Sequence, residues 1–219
     1  MAPIEINLGE NKIGDTMTMH YVPIAESIAA LYDNNKDYIS LLRSVNKDET
    51  LNDICDGLSH KNNELLSDQE AFDIILYQDS FEIVNPLESA KRKHKLLGVY
   101  YTLGNQKPER RSQIDHIQVV LLCKESAFQM CGVGSQKVEK VFAKLIHDLK
   151  TIEVGGVTID GNKKVRGKII CIACDNLGSN LPRTFPSLTT FSDFVRFHAK
   201  TFIKLHVCPG PLVQYQTIS

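Results

Sequence analysis

One stretch, residues 74–86, constrains the fold of this chain most, and residues 168–178 are its predicted partner. The first reads I-I-L-Y-Q-D-S-F-E-I-V-N-P. Aromatic and branched residues alternate in it until an Asn-Pro pair, a pattern that predicts a β-strand. The second reads K-I-I-C-I-A-C-D-N-L-G and is apolar on both faces, as expected for an inner strand of a covered sheet. Each stretch carries one aspartate, Asp79 and Asp175.

The position of Asp79 predicts a role for its carboxylate. Side chains alternate along a strand, so Asp79 shares a predicted face with apolar residues such as Tyr77 and Phe81. A buried, unpaired carboxylate costs on the order of several kcal/mol. If the two stretches are neighbouring strands, Asp79 and Asp175 lie at one edge and predict a site for a divalent cation. The alternative is that Asp79 lies on a solvated edge and Asp175 caps a turn.

The order of the predicted elements suggests how the two strands meet. Residues 22–45 carry apolar residues at helical spacing, with a break at 33–35. Strands are predicted at 96–103 and 114–123, a helix at 138–149 and a small hairpin at 157–164. Short connections favour three antiparallel strands, and the crossover helix then brings the fourth strand in parallel beside the first. That is the arrangement of the first four strands of a ribonuclease H-like fold, an α/β fold with a mixed sheet.

The chain is accordingly divided into three segments. Residues 1–66 form a lead-in and a small helical N-terminal segment, in which residues 1–20 are expected to be loose because they show no periodic apolar pattern. A short helical turn is expected at 67–71, where Ser67 and Glu70 make a start signal. Residues 67–183 form the partial ribonuclease H-like core, and residues 184–219 an irregular tail.

Composition excludes several classes of protein. With 219 residues, 42% of them hydrophobic, the chain can bury one good core. The net charge of −1 gives no overall attraction to nucleic acid, so such binding would need local patches. No apolar run is long enough for a membrane span, and the N-terminus lacks a secretory signal. Six scattered cysteines favour a reducing compartment, so we expect a nuclear or cytoplasmic protein that is not secreted.

Three basic clusters are candidates for weak, backbone-directed DNA binding. All lie in predicted loops that lead into strands, where they would form one edge that follows phosphates. The alternative is that each is a solvated run of loop charges. The candidate residues are Lys91, Arg92, Lys93 and Lys95 in the first cluster, Arg110 and Arg111 in the second, and Lys163, Lys164 and Arg166 in the third.

A series of short sequence words resembles the core of the CACTA (En/Spm-like) transposases and related transposon-encoded proteins of animals. The words occur in the same order as in that family and span about residues 20–180. They are Y-V-P-I-A-E-S-I (21–28), I-C-D-G (54–57), D-S-F-E-I-V-N-P-L (79–87), K-H-K-L-L-G-V-Y-Y-T-L-G-N (93–105), R-R-S (110–112), H-D-L-K-T-I-E (147–153), G-V-T-I-D (156–160) and C-D-N-L-G-S-N (174–180).

The resemblance implies a metal-dependent activity of the DDE type. Its two matching acids are Asp79 and Asp175, which would hold Mg²⁺ or Mn²⁺ for DNA strand cleavage and transfer. The family has a Cys-x-x-Cys pair where this sequence has F-V-R-F-H (194–198), and its third acid is expected downstream of residue 219. The resemblance therefore implies a truncated, degenerate or reused core with an incomplete catalytic site. The alternatives are a non-catalytic nucleic-acid-binding or regulatory module on the same scaffold, and a non-functional remnant.

Other motifs in the sequence have simpler interpretations. Cys171 and Cys174 lie three positions apart on a predicted strand and so point to opposite faces, as core cysteines would. His198, His206 and Cys208 lack a recognised spacing, and no zinc is expected. The G-V-G-S run at 132–135 predicts a turn and helix cap rather than a phosphate loop.

Overall fold

The computed structural model describes residues 2–41, 53–65, 70–83, 95–131 and 135–174. The described chain is an α/β domain with one mixed sheet of seven strands. The strands are β1 (Ile4–Glu10), β2 (Thr16–Tyr21), β3 (Ala71–Glu82), β4 (Lys95–Leu103), β5 (Gln118–Lys124), β6 (Val157–Ile159) and β7 (Lys163–Cys174). The helices are α1 (Ile24–Asn34), α2 (Leu58–Lys61), α3 (Pro108–Arg111), α4 (Glu125–Met130) and α5 (Ser135–Gly155).

The central strands have the predicted connections. The order across the sheet is β1-β2-β5-β4-β3-β7-β6. Strands β3, β4 and β5 are successive antiparallel neighbours, and β7 lies parallel to β3 after the long helix α5. The three antiparallel strands, the crossover helix and the parallel fourth strand are confirmed. The hairpin at 157–164 is confirmed as well, since β6 pairs antiparallel with β7 around a turn at Asp160-Gly161.

The N-terminal residues differ from the sequence prediction. Instead of a loose lead-in, residues 4–21 form the β1–β2 hairpin, and β2 adds to the sheet beside β5. The apolar residues of β2 alternate, with Met17, Met19 and Tyr21 buried. The turn is closed by Asn11, whose Oδ1 accepts hydrogen bonds from the backbone N–H groups of Ile13 and Asp15. The alternation of apolar residues in β2 is therefore a strand signal within residues 1–20, which were predicted to be loose.

Three further predicted boundaries were wrong. The predicted second helix from Tyr38 does not begin there: residues 38–41 are irregular, with an isolated bridge from Ile39 to Gln106. The remainder of that predicted helix lies outside the described residues. The strand predicted from Ile114 begins at Gln118, because Ile114–His116 form a 3₁₀ turn. In the helical turn predicted at 67–71, Ala71 is instead the first residue of β3 and Glu70 lies outside any helix, whereas residues 67–69 lie outside the described residues.

The main core lies between one face of the sheet and the helices α1 and α5. Helix α5 presents Val141, Phe142, Leu145 and Ile152 at helical spacing, and all four are buried. Gly167 of β7 permits this close packing, because a Cβ atom there would lie 3.0 Å from Cγ2 of Ile152. The residues of this face account for most of the buried apolar surface, so we infer that they supply most of the hydrophobic stabilisation.

Two buried tyrosine hydroxyl groups form hydrogen bonds between the sheet and the helices α1 and α5. Tyr21 of β2 donates a hydrogen bond to Oδ2 of Asp148 in α5 at 2.7 Å, and Tyr101 of β4 donates to Oγ of Ser27 in α1 at 2.9 Å. Burial raises the pKa of Tyr21 far above its usual range, and the hydrogen bond to Asp148 raises it further. Burial likewise raises the pKa of Tyr101. Both phenols therefore remain protonated donors at neutral pH.

The other face of the sheet carries a smaller buried cluster. Ala71, Ile75 and Ile170 pack there with Leu65, and the segment 53–65 contributes the partly buried Ile54. This cluster covers the beginning of β3, which we call the Ala71 end of the sheet. At the opposite end, which we call the Glu82 end, residues 79–83 are all exposed. The two ends of β3 thus offer different environments to the polar side chains placed on it.

Candidate functional site

Asp79 lies near the Glu82 end of β3 and is exposed. Its Oδ1 accepts a hydrogen bond from the backbone N–H of Ser80 at 2.7 Å, which orients the carboxylate. Directly across the sheet, Asp79 pairs with Gly98 of β4. The sequence argument assumed that the Asp79 carboxylate is buried, and that assumption was wrong. The side chain is exposed to solvent, as in the alternative of a solvated edge, so the carboxylate has no large desolvation cost. A ligand site at Asp79 would be an open one.

The side chain of Tyr100 lies over Gly98, beside Asp79. A Cβ atom at position 98 would stand 2.6 Å from Cζ of the Tyr100 ring, and closer still to its hydroxyl oxygen. Only glycine therefore leaves room for this ring position. Burial raises the pKa of Tyr100, and the negative charge of Asp79 raises it further. This electrostatic effect agrees with the cross-strand register, because both place the phenol near the carboxylate.

A second aromatic residue, Phe81, follows Asp79 on the same face of β3. Residues i and i+2 of a strand point the same way, and Phe81 pairs across the sheet with Leu96. The Phe81 side chain is 37% exposed, which is high for a phenylalanine. Asp79 therefore stands between two aromatic side chains, Tyr100 and Phe81, on an accessible part of the sheet.

The predicted partner of Asp79, Asp175, lies outside the described residues. The register of the two strands is described up to the preceding position, where Gln78 pairs with Cys174. Asp79 supplies one hard oxygen ligand of the kind that Mg²⁺ and Mn²⁺ prefer. Within the described parts of the chain, no group of three or more His, Cys, Asp or Glu residues is arranged to hold a metal ion. The described residues at this end therefore supply one carboxylate for a divalent cation. The second carboxylate, that of Asp175, stays a prediction.

The structure divides the predicted basic edge between the two ends of the sheet. Lys95 begins β4 opposite Glu82, near Asp79, whereas Lys91, Arg92 and Lys93 lie outside the described residues. Because β7 is parallel to β3, the third cluster lies at the Ala71 end, where Arg166 pairs with Ala71. The connection that carries Arg110 and Arg111 leaves β4 at this same end. Asp79 lies eight positions after Ala71 on the strand, a distance of ~26 Å.

Two of the basic residues at the Ala71 end, Arg110 and Lys163, have local partners. The guanidinium carbon of Arg110 lies 3.7 Å from the centroid of the Tyr38 ring, in a cation–π contact. Lys163 forms an ion pair with Glu70. Lys164 and Arg166 are exposed on β7. This end therefore presents positive charges that are partly balanced by acids, and it does so far from Asp79.

Arg111 is a buried residue and not a surface ligand for phosphate. It is 8% exposed, and its guanidinium forms a two-pronged ion pair with the carboxylate of Asp53. Its Nε donates to the carbonyl oxygen of Gln106 at 2.9 Å, and Nη2 donates to that of Gly104 at 2.6 Å. The nucleic-acid contact predicted for Arg111 is not supported, because its donors point into the protein.

A second buried polar group lies nearby, at the beginning of β3. Asp73 is only 1% exposed, and its Oδ2 lies 3.0 Å from Nε2 of His60, which is 4% exposed. The side chain of Asn105 completes the connection: its Oδ1 accepts from the backbone N–H of Asp73, and its Nδ2 donates to the carbonyl oxygens of Ala71 and Ser40. Through Asn105, these bonds join β3 to Ser40, which precedes the strand in the sequence, and to the turn after β4, which follows it.

The two groups form one structural unit, which we call the Arg111 cluster: Asp53, His60, Asp73, Asn105 and Arg111. Two of the words that carry the transposase resemblance each contribute one member, Asn105 from residues 93–105 and Arg111 from residues 110–112. Sequence reasoning missed Asp73, although it stands in the run A-F-D-I-I and shares the strand face of Asp79. The buried carboxylate that needed an explanation was that of Asp73, and His60 is a hydrogen-bond partner for it.

No helix in the described parts of the chain is long and apolar enough to cross a membrane. No protein-family model matches the chain, and no curated protein is significantly similar to it.

Proposed function

We propose that this chain is a transposase-derived protein with a ribonuclease H-like core, related to metal-dependent DNA strand cleavage and transfer. One observation carries the proposal. Strand β7 runs parallel to β3 after a crossover helix, and the two pair up to Gln78 and Cys174, the residues that directly precede Asp79 and Asp175. The two acids named by the resemblance thus follow paired positions on adjacent strands.

In this proposal Asp79 and Asp175 hold a Mg²⁺ or Mn²⁺ ion through hard oxygen ligands. When bound, such an ion polarises a scissile phosphodiester and activates the attacking water or 3′-hydroxyl. The backbone N–H of Ser80 holds the Asp79 carboxylate in place, and strands fix ligands more precisely than loops do. The DNA partner would place the protein in the nucleus.

The number of ligands limits the activity that we propose. A two-metal site for phosphoryl transfer usually draws about three carboxylates from the protein, and this sequence has two with motif support. We therefore expect the chain by itself to bind a cation weakly and not to cleave DNA.

A non-catalytic nucleic-acid-binding or regulatory module is the second candidate. The exposed Lys164 and Arg166, with Arg110, favour it, because they lie at the Ala71 end and would serve binding without the acids. A remnant without present function is the third.

Binding of Mn²⁺ tests the metal site directly. We expect electron paramagnetic resonance to show Mn²⁺ bound to the wild-type chain, and thermal unfolding to show a stabilisation that follows the ion concentration. Asp79→Asn and Asp175→Asn should each abolish both effects. Asp115→Asn, an exposed acid in the β4–β5 connection, is the matched control and should bind as the wild type does. Equal Mn²⁺ binding in all four proteins would refute the metal site.

Nuclease and strand-transfer assays test the incompleteness of the site. No product is expected with Mg²⁺ or Mn²⁺. Metal-dependent nicking that disappears in both Asp79→Ala and Asp175→Ala would show that the site is complete, and would direct attention to Asp193, the only acid after Asp175 in the sequence.

Charge reversal separates the two candidate DNA surfaces. Weak DNA binding that falls steeply with salt is expected from contacts to phosphates. One triple variant reverses Lys91, Arg92 and Lys93 to Glu, and another reverses Lys163, Lys164 and Arg166. Loss only in the first favours the predicted cluster at 91–95 and the proposed function, whereas loss only in the second favours the non-catalytic module.

A further inference from the structure

The surroundings of Asp79 combine an acid with accessible aromatic rings. Tyr100 is half-buried over Gly98 and lies beside the carboxylate, and Phe81 is exposed on the other side of it along the strand. Aromatic side chains in such positions usually lie inside a core, where their large apolar area contributes most to stability. Here Phe81 leaves a third of its surface in solvent, next to a charged group. The exposed part of the Phe81 ring is therefore accessible to a ligand beside Asp79.

We propose that the Glu82 end of the sheet binds an unpaired nucleotide, with Tyr100 and Phe81 as stacking surfaces on either side of Asp79. This inference rests on the proposed function and deepens it, since it names the substrate class as a single strand or an unpaired end of DNA.

The chemistry of the three groups matches the parts of a nucleotide. A base presents a π-face, and stacking on aromatic side chains is how proteins hold single strands without reading their sequence. Asp79 cannot contact a phosphate directly, because both are anions, but it can do so through a shared divalent cation. Rings beside a cation ligand therefore suit a base beside its own phosphodiester.

Duplex DNA fits this surface less well. Its bases are stacked on one another, so their faces are not available to Tyr100 or Phe81 unless a nucleotide is turned out at a cost in stacking energy. In an unpaired strand the base does not have to be turned out of a duplex, so this cost in stacking energy does not arise. The same protein should therefore prefer a single-stranded oligonucleotide to a duplex of the same sequence.

Gly98 adds a specific structural requirement. Because a Cβ atom at position 98 would overlap the Tyr100 ring, Gly98→Ala must move that ring away from its position beside Asp79. This variant changes the stacking surface without removing an aromatic residue or a charge. It therefore gives a second route to the same test if a Tyr100 substitution disturbs the fold.

The experiment measures the affinity of the full chain for a fluorescein-labelled oligothymidine and for a duplex of equal length, with Mn²⁺ present, by fluorescence anisotropy. We expect the single strand to bind more tightly. Phe81→Ala and Gly98→Ala should each weaken that binding about tenfold, from the typical contribution of one stacked base. Tyr38→Ala, an exposed aromatic residue at the Ala71 end, is the matched control and should bind as the wild type does.

Two measurements keep the inference separate from the proposed function. If Mn²⁺ binds and Asp79→Asn abolishes it, but Phe81→Ala and Gly98→Ala hold the oligonucleotide as tightly as the wild type, the stacking proposal is wrong and the metal site stands. Preference for duplex, or loss in Tyr38→Ala alone, overturns it as well. Absence of Mn²⁺ binding, together with oligonucleotide binding that depends on Phe81, would refute the metal site and leave the stacking surface.

Discussion

Replacement of Arg111 provides the sharpest test of what the basic pair at 110–111 does. Arg111→Ala removes the guanidinium and leaves the Asp53 carboxylate, whose side chain is 17% exposed, without this counter-charge. Breaking a buried ion pair on one side costs ~3–5 kcal/mol. Since Asp53 keeps some hydration, we take the lower bound, a loss of about 3 kcal/mol in the free energy of unfolding. In a protein of this size that lowers the melting temperature by ~6–12 °C.

Arg110→Ala is the matched control, because it removes the same positive charge at the adjacent, preceding position. Arg110 contacts the exposed ring of Tyr38, and a cation–π contact at such a site contributes ~0.5–1 kcal/mol. The two variants are compared by urea and thermal denaturation at equal ionic strength. A difference in unfolding free energy below ~0.5 kcal/mol, the scatter expected for surface substitutions, would refute the structural role that we assign to Arg111.

Three further predictions concern single side chains. Asp73→Asn should lower the free energy of unfolding by ~1–3 kcal/mol, because Asp73 is buried. Asp79→Asn on the same strand should change it by less than ~0.5 kcal/mol, because Asp79 is exposed. Denaturant titration compares the two variants. Gly98→Ala should cost ~1–3 kcal/mol through overpacking, and clearly less in a Tyr100→Ala background, as a double-mutant cycle would show. Tyr21→Phe should cost ~1 kcal/mol at pH 7. Because the pKa of Tyr21 is raised in the folded state, its contribution is complete below pH ~10 and falls at higher pH, so the variant should lose stability less steeply than the wild type there.

The central sheet could be predicted because its signals are local. Alternation in residues 74–83 and 96–103, and the helical spacing of residues 138–149, each depend on neighbouring residues only. The crossover rule then places β7 beside β3. The predicted topology also gives the direction of β7 relative to β4. It therefore implies that Lys95 and the third basic cluster lie at opposite ends of the sheet, although all three clusters were predicted to form one edge.

The remaining features depend on contacts between distant residues. Nothing near Asp73 in the sequence indicates that His60 and Asn105 will enclose it, so the cost of its burial could not be assigned. The β1–β2 hairpin was missed for a similar reason. Among the described strands, β2 pairs outside the hairpin with β5 alone. Gly9 and the charged Glu5 and Glu10 make β1 a weak strand signal. Arg111 resembled a surface residue because its neighbours Lys107 and Arg110 are polar.

The pairing of β2 with β5 also affects how the chain folds during synthesis. Met19 pairs with Cys123, so the ribosome must add about 100 residues after the hairpin before the strand that pairs with β2 exists. At ~5–20 residues per second, the hairpin waits for about 5–20 s. During that time the side chains of Met17, Met19 and Tyr21, all buried in the finished sheet, remain in contact with water. The N-terminal hairpin is therefore exposed to aggregation, and to capture by chaperones, before β5 emerges.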